Sequence, residues 1–516
     1  MKGAADLQKL NMNILADISP LNVLATKTDL IMGLPILVLL ATGLLLMLMD
    51  AFKKRQSLPI IAGIGIIISM IVACPPVLQG IAGVDHLAGT AYSGMLATGE
   101  MASLVHIFLA ASGLFTLFFV GDYMKRQAAT IPDIYAIMVF SLIGMSMLAN
   151  ANDLIITFIG LETMSICLYI MASMYKKSVA SNESGLKYFL LGAFATGFFL
   201  YGIALIYGAS GSTNFDQMNF TALAQSPLFY PGIGMLIIGF LFKVSAFPFH
   251  AWTPDVYTGT PTPLAGFMAT GSKAAAFIAL AGFINESQLL AGDSKIQMVI
   301  AVAAVATMIY GNIVAARQRN LKRMLAYSSI AHSGYVLLAV CCGPEGKLAV
   351  IFYMVIYTFM NIGAFGLVGM AENKMEDGNL DSWKGFGRHN PWLGLALTIF
   401  LFSLAGIPPL AGFMGKYFVF AAAIRADLLI PAIIGILTSV VGAFYYINVI
   451  KTMYFEDKES PKVVVSKSMM PLAGVALLAI LVLLLGVLPS LLQTPLAEGI
   501  NASTWDMLPE ISSLNP

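Results

Sequence analysis

Apolar runs of about twenty residues recur along this whole 516-residue chain, separated by short polar stretches. Such a run is stable in hydrocarbon only if every backbone N–H and C=O bonds within it, which makes it a helix. The spacing predicts an all-α polytopic membrane protein with about fourteen transmembrane helices. They fall at 29–50, 59–79, 102–121, 131–149, 153–174, 183–208, 229–258, 261–285, 296–316, 323–342, 347–371, 391–425, 428–454 and 468–492. The two longest runs, 229–258 and 391–425, are each interrupted by prolines. Composition agrees: 58% of residues are hydrophobic and 11% charged, with mean hydropathy +0.84, whereas soluble domains carry about 25% charged residues.

The net charge of +1 leaves no electrostatic footprint for nucleic acid. Cys74, Cys167, Cys341 and Cys342 form no CxxC and no Cys/His pairing, so neither a metal site nor an iron–sulfur cluster is expected. Buried apolar thiols are the simpler reading. The N-terminus lacks the pattern of a cleaved signal peptide, and residues 1–28 are expected to precede the first span.

The basic residues test the span count. Eighteen of the 28 fall in six alternate loops, in clusters such as Lys53–Lys54–Arg55 and Arg317, Arg319, Lys322 and Arg323. Six lie in the N-terminal segment or the opposite loops: Lys2, Lys9, Lys27, Lys295, Lys347 and Arg425. The positive-inside rule then places the eighteen in the cytoplasm and both termini outside.

Four lysines remain, Lys187, Lys243, Lys273 and Lys416, and all fall within apolar spans, as does Glu162. Each such charge costs about 2.5–3.5 kcal/mol at the centre of an isolated span. Snorkelling relieves a lysine near an end but does little for Lys243 and Lys273. Spans 4–8 and 9–13 make two groups of five that enter from opposite sides, with the broken spans, 7 and 12, fourth in each. That is the pattern of two inverted five-helix repeats around a midplane ion site. The expected organisation is 1–130 for spans 1–3, 131–285 and 286–455 for the repeats, and 456–516 for the last span and tail.

Each charged position has a plain reading beside the functional one. Glu162 and Lys187 make either a structural ion pair between two helices or a titrating pair that responds to its neighbours. Lys243 precedes Pro248, which removes a backbone hydrogen bond and displaces the carbonyl of Val244. Broken backbone at membrane depth needs protein or a water-filled cavity around it, and water would also ease the burial of Lys243. His250 is a proton carrier or a packing residue. Asp255 and Thr253, Thr258 and Thr260 read as turn chemistry leading into span 8. Lys273 sits among Gly271, Ser272 and alanines, far from either end of its span, where a functional role is favoured. His332, with Ser328, Ser329, Ser333 and Tyr335, carries a water chain or satisfies itself by helix–helix hydrogen bonds. In span 12 the order is reversed: Pro408 and Pro409 break the helix and Lys416 follows. The charged loop 372–390 reads as a connector or subunit contact. No nucleotide loop, catalytic triad or haem pair is present in the sequence.

Five stretches resemble the antiporter-like membrane subunits of respiratory complex I (NADH–quinone oxidoreductase), and the N type most closely. They are LANANDLIITFIGLETMSICLY, SGLKYFLLGA, GFLFKVSAFPFHAWTPDVYTGTPTPLAGFMATGSKAAAF, RNLKRMLAYSSIAHSGY and LSLAGIPPLAGFMGKYFVF, across roughly 147–420. A lysine rather than glutamate at 416, and no long lateral helix after span 14, favour the N type over the M and L types. The resemblance implies that Glu162, Lys187, Lys243, Lys273 and Lys416 translocate protons, with His250 and His332 as relays. It implies no cofactor in this chain. NADH, FMN, iron–sulfur clusters and quinone are expected in partner subunits: M-type and small K-, J- and A-type membrane subunits and a peripheral redox arm. It implies the bacterial inner membrane. An Mrp-type cation/proton antiporter subunit shares the lysine and glutamate pattern and is the alternative. The outward segment 80–101 has no counterpart in the matched stretches.

Overall fold

The computed structural model describes residues 26–83, 87, 89–127, 131–218, 223–286, 294–372, 378–456, 465 and 468–499. Its helices are α1 (Lys27–Met32), α2 (Leu34–Ala51), α3 (Leu58–Ala73), α4 (Pro75–Ala82), α5 (Glu100–Arg126), α6 (Ile134–Ala149), α7 (Leu154–Ala172) and α8 (Val179–Ser210). Then come α9 (Phe229–Lys243), α10 (Trp252–Gly259), α11 (Thr262–Phe267), α12 (Lys273–Glu286), α13 (Ser294–Ala316), α14 (Leu321–Val340) and α15 (Gly343–Ala371). The chain continues with α16 (Pro391–Ala405), α17 (Ala411–Arg425), α18 (Leu429–Phe455), α19 (Met469–Val487) and α20 (Ser490–Glu498). Every expected segment is largely helical, some divided between two helices. Ten described helices are long and apolar enough to cross a membrane, and α6, α9 and α16 are shorter apolar ones. The chain is an integral membrane protein, nearly all helix.

Helix starts follow from local chemistry. Asp153 caps α7 by accepting from the N–H groups of Ile155 and Ile156, and Asn320 caps α14 through the N–H of Arg323. The outer helices α2, α3, α8 and α18 expose Leu44, Ile64, Phe194 and Phe444, as surfaces facing lipid do. The inner helices α11–α12 and α15 are apolar on all sides and almost wholly buried. α12 packs on α6, α14 and α15, where the two groups of five helices meet.

Those groups repeat the same neighbours. α6 packs on α7 as α13 packs on α14; α7 meets α8 as α14 meets α15; α8 meets α9 as α15 meets α16. Both lead pairs cross at glycines. A Cβ on Gly144 would lie 2.4 Å from the Met164 nitrogen, and one on Gly311 would lie 2.5 Å from the Ala331 nitrogen. Only hydrogen at these positions lets the backbones approach so closely.

Both expected breaks are present. α9 stops at Lys243, ahead of Pro248, and 244–251 is not helical. The freed groups find partners: Phe247 N–H donates to Thr307 Oγ1 at 2.9 Å, and Trp252 Nε1 donates to the Phe242 carbonyl at 3.1 Å. In the second break, Gly406 takes a left-handed φ of 86°, and Gly412 N–H donates to Ser403 Oγ at 2.9 Å.

Within segment 80–101, residues 90–97 form a short antiparallel hairpin, β1 (Thr90–Ala91) with β2 (Leu96–Ala97). Asn152 and Asn214 both donate to the Gly94 carbonyl, at 3.0 and 2.9 Å, so the hairpin ties together two loops on one side of the bundle.

Candidate functional site

Three of the four intramembrane lysines are buried: Lys243, Lys273 and Lys416. Among the described residues none of the three makes an ion pair; each ammonium is held by neutral oxygens. Lys243 donates to Ser165 Oγ at 2.9 Å and to Tyr188 OH at 3.3 Å. Lys273 donates to Ser329 Oγ at 2.7 Å, Ser333 Oγ at 3.1 Å and the Ser329 carbonyl at 3.2 Å. Lys416 reaches back across the second break to the carbonyl of Ala405, the last residue of α16, at 2.7 Å, and to Ser439 Oγ at 2.8 Å. The open C-terminal end of α16 is the negative end of its dipole and suits the cation.

Glu162 and Lys187 do not pair. Glu162 accepts from Thr196 Oγ1 at 2.7 Å. Thr196 lines a cavity of about 10 Å³ together with Ser165 and Lys243, near the smallest volume that holds a water. The side chain that Glu162 approaches through these hydroxyls is therefore Lys243. Lys187 lies two turns into α8, partly exposed. It pairs with Glu183 at 2.6 Å and with Asp255 at 2.9 Å, and Arg323 holds the other oxygen of Asp255 at 3.0 Å. Helix α8 starts earlier than hydropathy indicates, at Val179, so Lys187 meets charged groups at its end rather than Glu162.

Lys273 follows a π-helical turn at Met268–Ser272, which no sequence pattern announced. Such turns favour functional sites because they displace one side chain from the regular helical face. From the Lys273 partners the polar line continues along α14. His332 Nδ1 meets Tyr353 OH at 2.6 Å and its Nε2 meets Tyr446 OH at 3.1 Å, while Tyr446 also bonds Ser328. Lys416 stands over the Tyr335 ring at 5.4 Å, and Asn312 donates to Tyr335 OH at 2.9 Å. Beyond Lys416 and Ser439 opens a largely apolar cavity of about 680 Å³ between α17 and α18. His250 stands apart from this line. It packs against the Tyr310 ring at 4.2 Å, and its buried Nδ1 has no partner.

Two carboxylates were missed from sequence as site members. Asp255, read as turn chemistry, anchors Lys187 and Arg323. Glu372, read as the start of a connector, accepts from Tyr123, Thr262 and Lys322 at the foot of α11. Lys322, counted above among the loop cations, is buried and also donates to the Thr260 carbonyl at 2.7 Å. Its position beside Arg323 at the start of α14 was the only sequence signal.

The family model described as NADH:quinone oxidoreductase/Mrp antiporter, TM matches residues 151–442. NADH-quinone oxidoreductase subunit N 1 of Chloroherpeton thalassium is 44% identical over 408 residues, covering 78% of this chain and 85% of that protein. The chain belongs to the family of NADH-quinone oxidoreductase N subunits. A chain from the solved respiratory complex I of Thermus thermophilus with bound Aureothin is 32% identical to this N subunit. It superposes with a TM-score of 0.77, covering 90% of this chain and 100% of that one. A chain of the Mrp complex from Dietzia sp. superposes at 0.79 over 93% of this N subunit and 99% of its own length, at 18% identity, which shows a shared fold alone. The family match takes in Glu162 and all four lysines; the hairpin at 90–97 lies outside it.

Proposed function

We propose that this chain is the proton-translocating N subunit of an NADH–quinone oxidoreductase, in which quinone reduction elsewhere in the complex drives protons along its intramembrane side chains. The observation that carries the reading is the row of three buried lysines, each held by hydroxyls or carbonyls and none by a carboxylate. Such an ammonium can release its proton without breaking an ion pair, and the hydroxyls beside it serve as both donor and acceptor. In this reading Glu162 acts on Lys243 through Thr196 and Ser165. Lys273 exchanges its proton through Ser329 and Ser333, His332 and its tyrosines relay it, and Lys416 passes it to the cavity between α17 and α18. Lys187 acts through Asp255. His250, off this line, acts as a second relay beside the first break when water reaches its free Nδ1.

The division at 131–285 and 286–455 into two inverted repeats is part of the proposal, supported by the matching neighbours and glycine crossings. So are a bacterial inner membrane and both termini outside, supported by the distribution of basic loops. Both ends of the chain, 1–25 and 500–516, lie outside the described residues. NADH, FMN, iron–sulfur and quinone chemistry are assigned to partner subunits: the M-type and small K-, J- and A-type membrane subunits and the peripheral arm.

The Mrp antiporter reading shares the fold, but the 44% identity is to an N subunit. The test is Lys273→Ala in the assembled complex, in inverted membrane vesicles. NADH-driven proton uptake is expected to be lost while the subunit still co-purifies with its partners. Normal uptake by an assembled variant overturns the proposal.

A further inference from the structure

The short helix α10, which follows the first break, touches three parts of the site. Trp252 at its start stacks on Tyr188 at 4.4 Å, and Tyr188 OH is a partner of Lys243. Tyr257 near its end lies under the Lys273 ammonium at 5.8 Å. Asp255, between them, is the only acid of the segment. One of its oxygens takes Lys187 of α8 and the other takes Arg323 of α14, and its carbonyl accepts from Ser184 of α8 at 3.2 Å. α10 has no side-chain cap of its own. An eight-residue helix without a cap holds its position by tertiary contacts rather than by itself.

We propose that Asp255 is a positioning residue, a latch through which the charge of Lys187 sets the placement of Trp252 against Tyr188 and of Tyr257 against Lys273. With both cations in place the carboxylate clamps α10 to α8 and α14, and the surroundings of Lys243 and Lys273 are held together. When the Lys187 contact is lost to Glu183, which already binds the same ammonium at 2.6 Å, one side of the clamp opens. α10 then shifts the aromatic contacts at both buried lysines at once. This inference rests on the proton-pumping reading and supplies the link between Lys187 and the buried lysines that a direct Glu162–Lys187 pair does not make.

The test uses the whole complex in inverted vesicles, with proton uptake and NADH oxidation measured together. Asp255→Asn is expected to lower uptake about fivefold or more with assembly retained, and Asp255→Glu to restore most of it, as contacting charges show couplings of this size. Lys187→Gln combined with Asp255→Asn is expected to be no worse than Asp255→Asn alone, because that variant has already lost the Lys187 contact. Uptake by Asp255→Asn near the native level, a Glu variant no better than Asn, or losses that multiply in the double variant overturns the latch. Should the Asn variant not assemble, Arg323→Gln opens the other side of the clamp, and normal uptake in that assembled variant overturns it equally. If Lys273→Ala also pumps normally, the proton reading itself has failed; if Lys273→Ala is silent and Asp255→Asn is not, only the latch falls.

Discussion

At the scale of single residues, the chemistry lies in what the buried ammonium groups lack. A lysine bound to a carboxylate is a strut; one bound to serine and tyrosine hydroxyls stays exchangeable. Thr196 and Ser165 matter for that reason, as the hydroxyls between Glu162 and Lys243. Thr196→Val keeps the shape and removes the donor to Glu162. It is expected to slow NADH-driven proton uptake several-fold, consistent with the loss of one hydrogen bond, about 0.5–1.5 kcal/mol. Uptake assays beside NADH oxidation in assembled complex check it. His332→Gln retains hydrogen bonding to Tyr353 and Tyr446 but carries no second proton. Lower uptake with unchanged assembly is expected from a relay, and unchanged uptake from a packing residue. The sequence marked Glu162 and the lysines because charge in an apolar run is visible by itself. It could not mark their partners, because serine, threonine and tyrosine are common in every span.

At the scale of elements, the breaks are built rather than tolerated. Thr307 of α13 supplies an acceptor to Phe247 N–H and donates onward to the Ala303 carbonyl at 2.6 Å, so a helix of the second group completes a break in the first. Thr307→Val is expected to leave that N–H without a partner and to destabilise the subunit by about 1–3 kcal/mol. A lower melting temperature of the purified complex measures it. The glycine crossings give a sharper case. Gly144→Leu places a side chain where the Met164 nitrogen stands, and the α6–α7 pair is expected to separate, with loss of the subunit from the membrane complex on native gels. Prolines and their lysines made the breaks legible in the sequence. The π turn before Lys273 was not legible, because nothing in Met268–Ser272 marks an extra residue, which is accommodated by packing against α5 and α15.

At the scale of the whole molecule, the arrangement brings two similar groups of helices against each other with α12 between them. Glu162 and Lys243 lie on one side of that junction and His332 and Lys416 on the other, so the candidate site belongs to neither group alone. The hairpin at 90–97 fastens the loops beside α7 through Asn152 and Asn214. Asn152→Ala removes its bonds to the Gly94 carbonyl and to Asp216 and is expected to raise hydrogen exchange across 90–97, leaving α12 unchanged. Mass-spectrometric exchange on the solubilised complex checks this. A chain that works only in company should also be found in company. Affinity purification of this subunit is expected to bring down the other membrane subunits and the FMN and iron–sulfur arm.

The sequence alone determined the membrane class, the positions of the helices, the two breaks and the charged residues worth asking about. Each of these is a local property: a run of apolar residues, a proline, or a charge with no loop to hold it. Only the tertiary structure decided which charges meet. Helix rotation and the true start of α8 turned Lys187 toward Asp255, and left Glu162 to face Lys243 through hydroxyls. A helix places successive side chains about 100° apart, so an error of one or two residues at its end changes a partner completely. Pairing across helices therefore lies outside what one-dimensional hydropathy can resolve.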